Sequence, residues 1–491
     1  MANDDNVMCA KMPWLCGIVG LLLAACSSPR ATVEGAGPLD LALGPLVFAN
    51  PLTLEEGREA GFLGPLFYEK HGTENNQTYT QRSFRPIITS YQTDDNRTET
   101  TELLFPLLTY RRTGKEYRVQ IGQMIGFSGG DSQTGGDENR TTLFPFYFAR
   151  RSGDPERDYT ALVPFYGTIK NRMLRDEINF FMLPLFLHSR QGNTQTWNYL
   201  VPFFHLRKGK DLKGWQAWPL IGREEKIIGP EGPGQKGGHR WLFVAWPLYH
   251  ASEKGIGTEN HSKFNALIPL YAIRRSSKGD LTSVLWPFFN KITDKVKGYT
   301  EYSAPWPFWI YGNGPDRDKL RIWPLYGRDR TETSNKEFYL GPLYQNSELN
   351  TEKILIQRWR VMVRLYQHTH EERKETGEVK DRRDLWPIFT HVRDRETRRL
   401  QLLAPIGPLL PGNKGIERNY SPLFALWHSE ENIATGRSSR SFLFNFYRGE
   451  RTPKSRKCSL LFGLVRYKKN EEGREWRLLW LFPFRSKAAN P

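Results

Sequence analysis

Short apolar runs centred on proline recur along most of this chain. Each run has two or three apolar residues, a proline, and then two more apolar residues, usually Leu or Phe followed by Tyr or Phe. Counting degenerate copies, about 23 runs follow one another between Pro45 and Pro483 at a step of about 20 residues, which predicts a tandem array of one supersecondary unit. The clearest copies are marked by Pro106, Pro164, Pro184, Trp246 with Pro247, Trp286 with Pro287, Trp306 with Pro307, Trp323 with Pro324, and Trp386 with Pro387.

Each run is predicted to form a β-strand. The runs are short, and polar turn sequences such as 113–116, 153–156 and 313–316 flank them. A helix is excluded because proline occupies the centre of nearly every run. With one strand of roughly 8–13 residues and one short turn per step, successive strands should pair as an antiparallel meander. The expected fold is therefore all-β, with about 23 strand repeats.

The central proline is unusual for a strand, because proline has no N–H to donate to a neighbouring strand. We expect the prolines to mark a shared bend of the strands or a row of bulges, and we favour the bend. In residues 178–188, both faces of the predicted strand are apolar near the proline, with Phe180 and Met182 on one side and Phe181 and Leu183 on the other. In a sheet with one face in water, apolar and polar residues would alternate along each strand. The centre of the array is therefore predicted to be covered on both sides, by the array itself, by lipid or by a ligand.

Three architectures fit this repeat. The favoured one is a curved or closed shell of antiparallel strands. The second is a six-bladed β-propeller with four strands per blade, although a step of about 20 residues is long for blade strands. The third is an outer-membrane β-barrel, which the apolar character of both strand faces disfavours, since a porin lumen is polar.

The chain has a formal net charge of +17 over 491 residues. Much of the positive charge occurs as arginine pairs beside the predicted turns, at 111–112, 150–151, 274–275, 382–383 and 398–399. The simpler interpretation is a solvated rim that keeps strand ends and turns soluble. The functional alternative is attraction to an anionic partner, such as lipid headgroups or an envelope polymer.

The amino terminus carries the one motif with assigned chemistry. Residues 14–25 are uncharged, and the segment ends Leu23-Ala24-Ala25-Cys26. An apolar stretch of this length fits a signal peptide and is short of the ~20 residues that a membrane-spanning helix needs. The ending resembles the lipobox of bacterial lipoproteins. The resemblance implies cleavage before Cys26, acylation of Cys26 with fatty acids such as palmitate and, because Ser27 follows, sorting to the outer membrane.

These features predict a signal peptide over residues 1–25, a lipidated tether over 26–40 and a single tandem-repeat β domain over 41–491. Once the first 25 residues are removed and Cys26 is acylated, Cys458 is the one remaining cysteine. An intramolecular disulfide is then impossible, so the fold must be held by its core.

No catalytic motif stands out in the sequence. His368 and His370 would share one face of a strand and could bind a metal, but a polar strand end is the simpler interpretation. The acidic segment 129–139 could hold calcium weakly, although a plain surface loop is favoured. Residues 229–238 are glycine-rich but lack the Gly-Lys-Ser/Thr ending of a phosphate-binding loop.

We therefore expect a non-enzymatic lipoprotein that acts as a structural or binding scaffold in the cell envelope, without a cofactor, a bound metal or a nucleic-acid partner. The alternative is a transport or channel-like β shell that carries lipid or a hydrophobic solute. The long segments 128–140 and 223–239 are the first candidates for specific binding, because loops carry function more often than strands.

Overall fold

The computed structural model describes residues 41–43, 46–74, 76–95, 97–132, 136–227, 237–471, 473–480 and 482–487. These residues fold almost wholly as antiparallel strands, which confirms the predicted all-β meander. The chain divides into two compact units. Unit 1 comprises the described residues up to 123 together with 364–370 and 376–487, and unit 2 comprises 124–363 and 371–375.

The first part of unit 1 contains nine strands among its described residues. They are β1 (Leu41–Leu43), β2 (Val47–Pro51), β3 (Gly57–Phe62), β4 (Phe67–Glu74), β5 (Gln77–Phe84), β6 (Ile88–Thr93), β7 (Thr98–Leu103), β8 (Leu108–Thr113) and β9 (Glu116–Ile121). Each strand pairs antiparallel with the next one along the chain.

Unit 2 consists of strands that are mostly six to eight residues long. They are β10 (Ile125–Gly129), β11 (Asp131–Ser132), β12 (Gly136–Leu143), β13 (Tyr147–Ser152), β14 (Tyr159–Leu162), β15 (Tyr166–Arg172), β16 (Arg175–Phe181), β17 (Phe186–Gln191), β18 (Thr194–Tyr199), β19 (Phe204–Gly209), β20 (Leu212–Ala217), β21 (Ile221–Lys226), β22 (Gly238–Val244), β23 (Tyr249–Ile256), β24 (Ser262–Leu267), β25 (Tyr271–Ser276), β26 (Gly279–Val284), β27 (Phe289–Asp294), β28 (Tyr299–Ser303), β29 (Trp309–Gly314), β30 (Arg317–Ile322), β31 (Tyr326–Thr331), β32 (Ser334–Tyr339), β33 (Tyr344–Asn350) and β34 (Ile354–Val361).

The second part of unit 1 begins with β35 (Tyr366–Arg373), whose last residues belong to unit 2. It continues with β36 (Glu378–Leu385), β37 (Phe389–Arg393), β38 (Thr397–Leu402), α1 (Lys414–Asn419), α2 (Ser421–Phe424), β39 (Trp427–Asn432), β40 (Arg437–Phe442), β41 (Tyr447–Thr452), β42 (Ser455–Leu460), a 3-10 turn (Leu461–Gly463), β43 (Val465–Asn470), β44 (Gly473–Leu478) and β45 (Phe482–Lys487). No helix among the described residues is long and apolar enough to cross a membrane.

Each repeat supplies two short strands rather than one long strand, because most of the prolines lie in turns. In the copy around Pro287, β26 and β27 pair up to Val284 and Phe289, and residues 285–288 form the turn between them. The turn closes with a hydrogen bond from the Phe288 N–H to the Leu285 carbonyl, at 2.9 Å. The predicted position of proline at the centre of a strand is therefore wrong. A turn suits proline because its missing N–H is not needed there.

The strand pairing in unit 2 is continuous. From β12 to β33 every strand pairs antiparallel with the strand before it and the strand after it, without a break at every fourth strand. A propeller requires separate four-stranded blades. The propeller alternative is therefore wrong for unit 2.

The core of unit 2 packs aromatic rings against small residues on neighbouring strands. Phe148 and Phe180 pack with Ala161, which is fully buried. Farther along the sheet, Gly327 pairs with Phe338, and a Cβ atom on Gly327 would lie 2.0 Å from the Phe338 ring. Glycine is required there because the ring of the neighbouring strand fills the space above it.

Near the carboxyl end of the described residues, some copies of the repeat depart from the strand-and-turn pattern. Pro422 lies in the first turn of α2, where its missing N–H leaves no helical hydrogen bond unmade. Pro483 lies within β45. The preceding helix α1 is capped by Asn413, whose side-chain oxygen accepts a hydrogen bond from the Ile416 N–H at 3.2 Å. These helices were not expected, since proline at the centre of the apolar runs had excluded helix throughout.

Candidate functional site

The structure places the predicted repeat-core residues in turns between strands. Cys26, the predicted lipidation site, lies outside the described residues. The prolines and tryptophans of the clearest copies lie in the turns between paired strands. Pro106, Trp386 and Pro387 belong to unit 1, and the others belong to unit 2.

Consecutive proline turns of unit 2 are hydrogen-bonded to one another. The Leu285 N–H donates to the Leu270 carbonyl at 2.8 Å, and the Trp306 N–H donates to the Phe288 carbonyl at 2.7 Å. Equivalent bonds join each turn to the next, so the turns form one edge of the sheet, which we name the apolar turn edge. It comprises residues 144–146, 163–165, 182–185, 200–203, 218–220, 245–248, 268–270, 285–288, 304–308, 323–325 and 340–343.

The side chains of the apolar turn edge touch one another and face outwards. The rings of Trp218 and Trp246 have centroids 5.9 Å apart, and those of Phe308 and Trp323 are 5.5 Å apart. Many of these side chains remain about half exposed, including Trp246 at 51% and Leu325 at 57%. The array itself therefore does not cover the apolar centre of these runs on both sides, because a turn at the sheet edge has no neighbouring strand beyond it. Coverage by lipid or by a ligand stays a prediction.

Tyrosines mark the boundary between the apolar turn edge and the polar part of the strands. They share the strand positions next to the turns with apolar residues such as Phe186 and Val284, and they are Tyr147, Tyr166, Tyr199, Tyr249, Tyr271, Tyr326, Tyr339 and Tyr344. Where their hydroxyls are bonded, the partner lies on the strand side of the turn. The Tyr271 hydroxyl donates to the side-chain Oδ1 of Asn265 at 2.8 Å, and the side-chain Nδ2 of Asn265 donates to the Tyr249 hydroxyl at 3.1 Å.

The opposite edge of unit 2 has different chemistry. Most of its turns are polar, as at 192–193, 277–278 and 332–333, although the turn at 173–174 is Met-Leu. Arg274 and Arg275 lie in the half of β25 that faces this edge and are exposed. The sheet is therefore amphipathic across its width, with apolar side chains at one edge and polar and basic side chains towards the other.

The interior of unit 1 holds a network of ion pairs that joins its two parts. Arg448 on β41 lies 3.1 Å from Glu59 on β3 and 2.8 Å from Glu450. The Tyr68 hydroxyl donates to the second oxygen of Glu59 at 3.0 Å. Burial, followed by the neighbouring Glu59 carboxylate, raises the pKa of Tyr68 well above its usual value, so this hydroxyl stays protonated.

A second set of interior contacts fixes the short helix α1. Glu102 at the end of β7 accepts hydrogen bonds from Arg418 at 2.8 Å and from the Asn419 amide at 2.6 Å. The Arg85 side chain donates to the backbone carbonyl of Arg418 at 2.8 Å, and the Tyr420 hydroxyl donates to the carbonyl of Phe105 at 2.6 Å. Together with Glu59, Tyr68, His428, Glu430, Arg448 and Glu450, these side chains form what we name the charged interior cluster.

His428 and Glu430 give this cluster a pH dependence. Their side chains lie 3.1 Å apart. Burial acts against both charges, but the hydrogen bond between the two groups and the attraction between their charges together outweigh it. The pKa of Glu430 is lowered to about 2, and the pKa of His428 is raised above its usual value. The charge on His428 therefore stabilises the fold fully below about pH 6.5, and this contribution is lost as the pH rises through the folded pKa.

We expect the His428→Gln substitution to reduce stability more at about pH 6 than at about pH 9, since the wild-type histidine is neutral at the higher pH. The measurement is the free energy of unfolding of both proteins at the two pH values. Comparing the two proteins cancels the contribution of the other histidines. An equal loss at both pH values would contradict the raised pKa.

The structure does not assemble the metal sites considered from the sequence. His368 lies 2.8 Å and His370 3.6 Å from the same carboxylate oxygen of Asp381, so the histidines share one face as expected. Within the described residues, however, no group of three or more histidine, cysteine, aspartate or glutamate side chains could hold a metal ion. In the acidic segment, Glu138 pairs with Arg140 and with Arg150, which leaves its carboxylate committed to arginines.

The two long segments proposed for specific binding are only partly described. Residues 133–135 and 228–236 lie outside the described residues, and β11, β12, β21 and β22 approach them on either side. The prediction that they bind a partner is untested.

Sequence reasoning missed the charged interior cluster. Its members, such as Glu59, Glu102 and Arg448, sit at ordinary strand positions without a motif. The one sequence signal that could have indicated them is the presence of charged residues on the strand faces that alternate with apolar ones. No protein-family model matches this chain, and no curated protein is similar to it.

Proposed function

We propose that this protein is a non-enzymatic lipoprotein that serves as a scaffold in the cell envelope, tethered to the outer membrane through Cys26. The observation that carries the proposal is the unbroken antiparallel ladder of unit 2, in which every strand from β12 to β33 is held on both sides. Such a ladder provides an extended and rigid binding surface without any part that needs to move. The lipobox residues ending at Cys26 supply the tether.

The basic character of the chain supports an anionic partner. The net charge of +17 would attract lipid headgroups or an acidic envelope polymer. The aromatic residues follow the repeat and pack against one another in the turns, as in Phe308 and Trp323, which favours a structural role over base stacking on nucleic acid.

The interior of unit 1 argues against the transport alternative. A conduit for lipid or a hydrophobic solute needs an apolar or empty lumen. The interior of unit 1 instead contains paired charges, such as Arg448 with Glu59 and Arg418 with Glu102. Moving an apolar solute past these groups would require breaking buried ion pairs.

The Cys26→Ser substitution tests the tether. We expect it to abolish incorporation of labelled fatty acid and to leave the leader uncleaved, because the sulfur that accepts the diacylglycerol is gone. The measurement is metabolic labelling followed by gel mobility, with Cys458→Ser as a matched control that should label normally. Equal labelling of the wild-type and Cys26→Ser proteins would overturn the proposed lipoprotein identity.

A further inference from the structure

We infer that the apolar turn edge of unit 2 inserts into the surface of a lipid bilayer. The inference extends the proposed function, because a lipid tether would bring this edge to a membrane, but it does not depend on acylation. It rests on the exposure, the depth and the chemical order of the residues along the edge.

The first argument is the extent of the exposed apolar surface. The half-exposed side chains include Leu248, Trp286, Phe288, Trp306 and Phe308, and they belong to consecutive turns that are hydrogen-bonded in series. Soluble monomers rarely leave a continuous apolar patch of more than a few hundred Å² in contact with water. An edge of this length is therefore expected to have an apolar partner.

The second argument is the depth of the uncharged band. None of the turn residues carries a charge, and neither do the strand residues next to them, from Leu143 to Tyr344. A turn and one flanking residue on each strand span roughly 7–10 Å at the rise of a β-strand. This depth matches the ~5–10 Å to which interfacial segments enter the boundary between headgroups and acyl chains.

The third argument is the order of side chains across the band. Leu, Phe and Trp occupy the tips of the turns, tyrosines such as Tyr249 and Tyr271 share the next strand position with apolar residues, and charged residues such as Arg274 come last. Tyrosine prefers the headgroup level, where its ring contacts hydrocarbon and its hydroxyl meets polar groups. A second protein surface would not require this graded order, so a bilayer is the occupant that the edge fits.

Vesicle flotation of the full-length protein tests this inference. All variants carry Cys26→Ser, which removes the site of acylation. A failure of the edge to bind vesicles is therefore distinguishable from a failure of the lipoprotein proposal. In that background, a variant with Trp286→Glu, Trp306→Glu and Trp323→Glu is compared with its parent on phosphatidylcholine vesicles. We expect the partition coefficient to fall about tenfold or more, because three carboxylates would have to enter the interface.

A matched control places the same three charges on the opposite edge. Asn193, Ser277 and Thr333 are exposed, neutral residues of polar turns in unit 2, and their replacement by glutamate should change the partition coefficient less than about twofold. The uncharged residues 14–25 are present in all of these proteins, so their contribution to vesicle binding cancels in the comparison. Equal flotation of the edge variant and its parent would overturn the inference.

A conservative variant guards against loss of folding. The combination Trp286→Phe, Trp306→Phe and Trp323→Phe keeps the edge apolar, so flotation should persist. Quenching of the remaining tryptophan fluorescence by brominated acyl chains should decrease, since three of the inserted indoles are gone. Unchanged quenching would contradict insertion of this edge. The inference would also be wrong if the parent protein did not bind vesicles but formed a dimer, and the glutamate substitutions dissociated that dimer. The partner of the edge would then be a second copy of the chain.

Discussion

Replacing Glu102 by alanine is expected to lower the free energy of unfolding of unit 1 by about 3–5 kcal/mol, which is typical for removing one partner of a buried ion pair. The Glu102 side chain is 4% exposed, and its two oxygens accept hydrogen bonds from Arg418 and Asn419. The variant would remove the carboxylate partner of Arg418 and one of the two acceptors of the Asn419 amide, which also donates to the Gly415 carbonyl. The short helix α1, which these contacts hold, should then open more readily than the neighbouring strands.

Hydrogen exchange of the amides in residues 414–420 reports this opening directly, and urea unfolding reports the total loss. Glu116→Ala is a suitable control because Glu116 is an exposed glutamate at the start of β9, where a surface substitution should change stability by less than about 0.5 kcal/mol. If Glu102→Ala were as mild as this control, α1 would not depend on the Glu102 contacts.

Replacing Arg448 by methionine is the second substitution with a large expected effect, a loss of about 3 kcal/mol. The Arg448 side chain is 14% exposed and bridges Glu59 and Glu450. Although burial alone would lower the pKa of Arg448, the two carboxylates raise it, so the guanidinium is charged throughout the pH range of the fold. Methionine has a similar length but no charge, and it would leave two carboxylates close together in the interior.

Three comparison variants separate charge from packing at this position. Arg448→Lys should lose less stability than Arg448→Met, because lysine keeps the positive charge. It should still lose some stability, because lysine lacks the planar group with which arginine reaches both carboxylates. Adding Glu59→Gln to Arg448→Met should recover part of the loss, since it removes one of the unpaired carboxylates. Arg451→Met, at an exposed position of the same strand, should be nearly neutral. Denaturant unfolding of all four proteins measures these differences, and equal losses at positions 448 and 451 would contradict the bridging role.

The class of fold could be predicted because its signal is local. The Leu-Trp-Pro-Phe turn at 285–288 and the polar turn at 277–278 each occupy a few adjacent residues and recur at the repeat step. What the sequence misplaced was the strand itself. An apolar run such as 183–186 has the composition of a buried strand, but residues 182–185 form a turn, and strand pairing resumes at Phe186 opposite Phe181. Hydropathy cannot separate a buried strand from an exposed apolar turn, because both are short and apolar.

The sequence identified the residues of the apolar turn edge but not their exposure. Its residues were found as the repeat core, Trp286 with Pro287 and Trp323 with Pro324 among them, but they were placed at the centre of strands rather than in turns. Their exposure depends on the position of the turn at the limit of the sheet, and the hydrogen bonds between turns, such as Trp323 to Phe308, align them into one edge. Neither property follows from composition.

The sequence by itself determined the repeat, its step, the strand class and the antiparallel order, because each of these follows from proline, glycine and apolar residues within one step of the chain. Only the tertiary structure decided which charges are buried and paired. Arg418 and Glu102 lie 316 positions apart, and Arg448 and Glu59 are still farther apart along the chain. A charged residue on a strand has the same local pattern whether it faces water or another part of the chain, so its partner is settled only when the two parts of unit 1 come together.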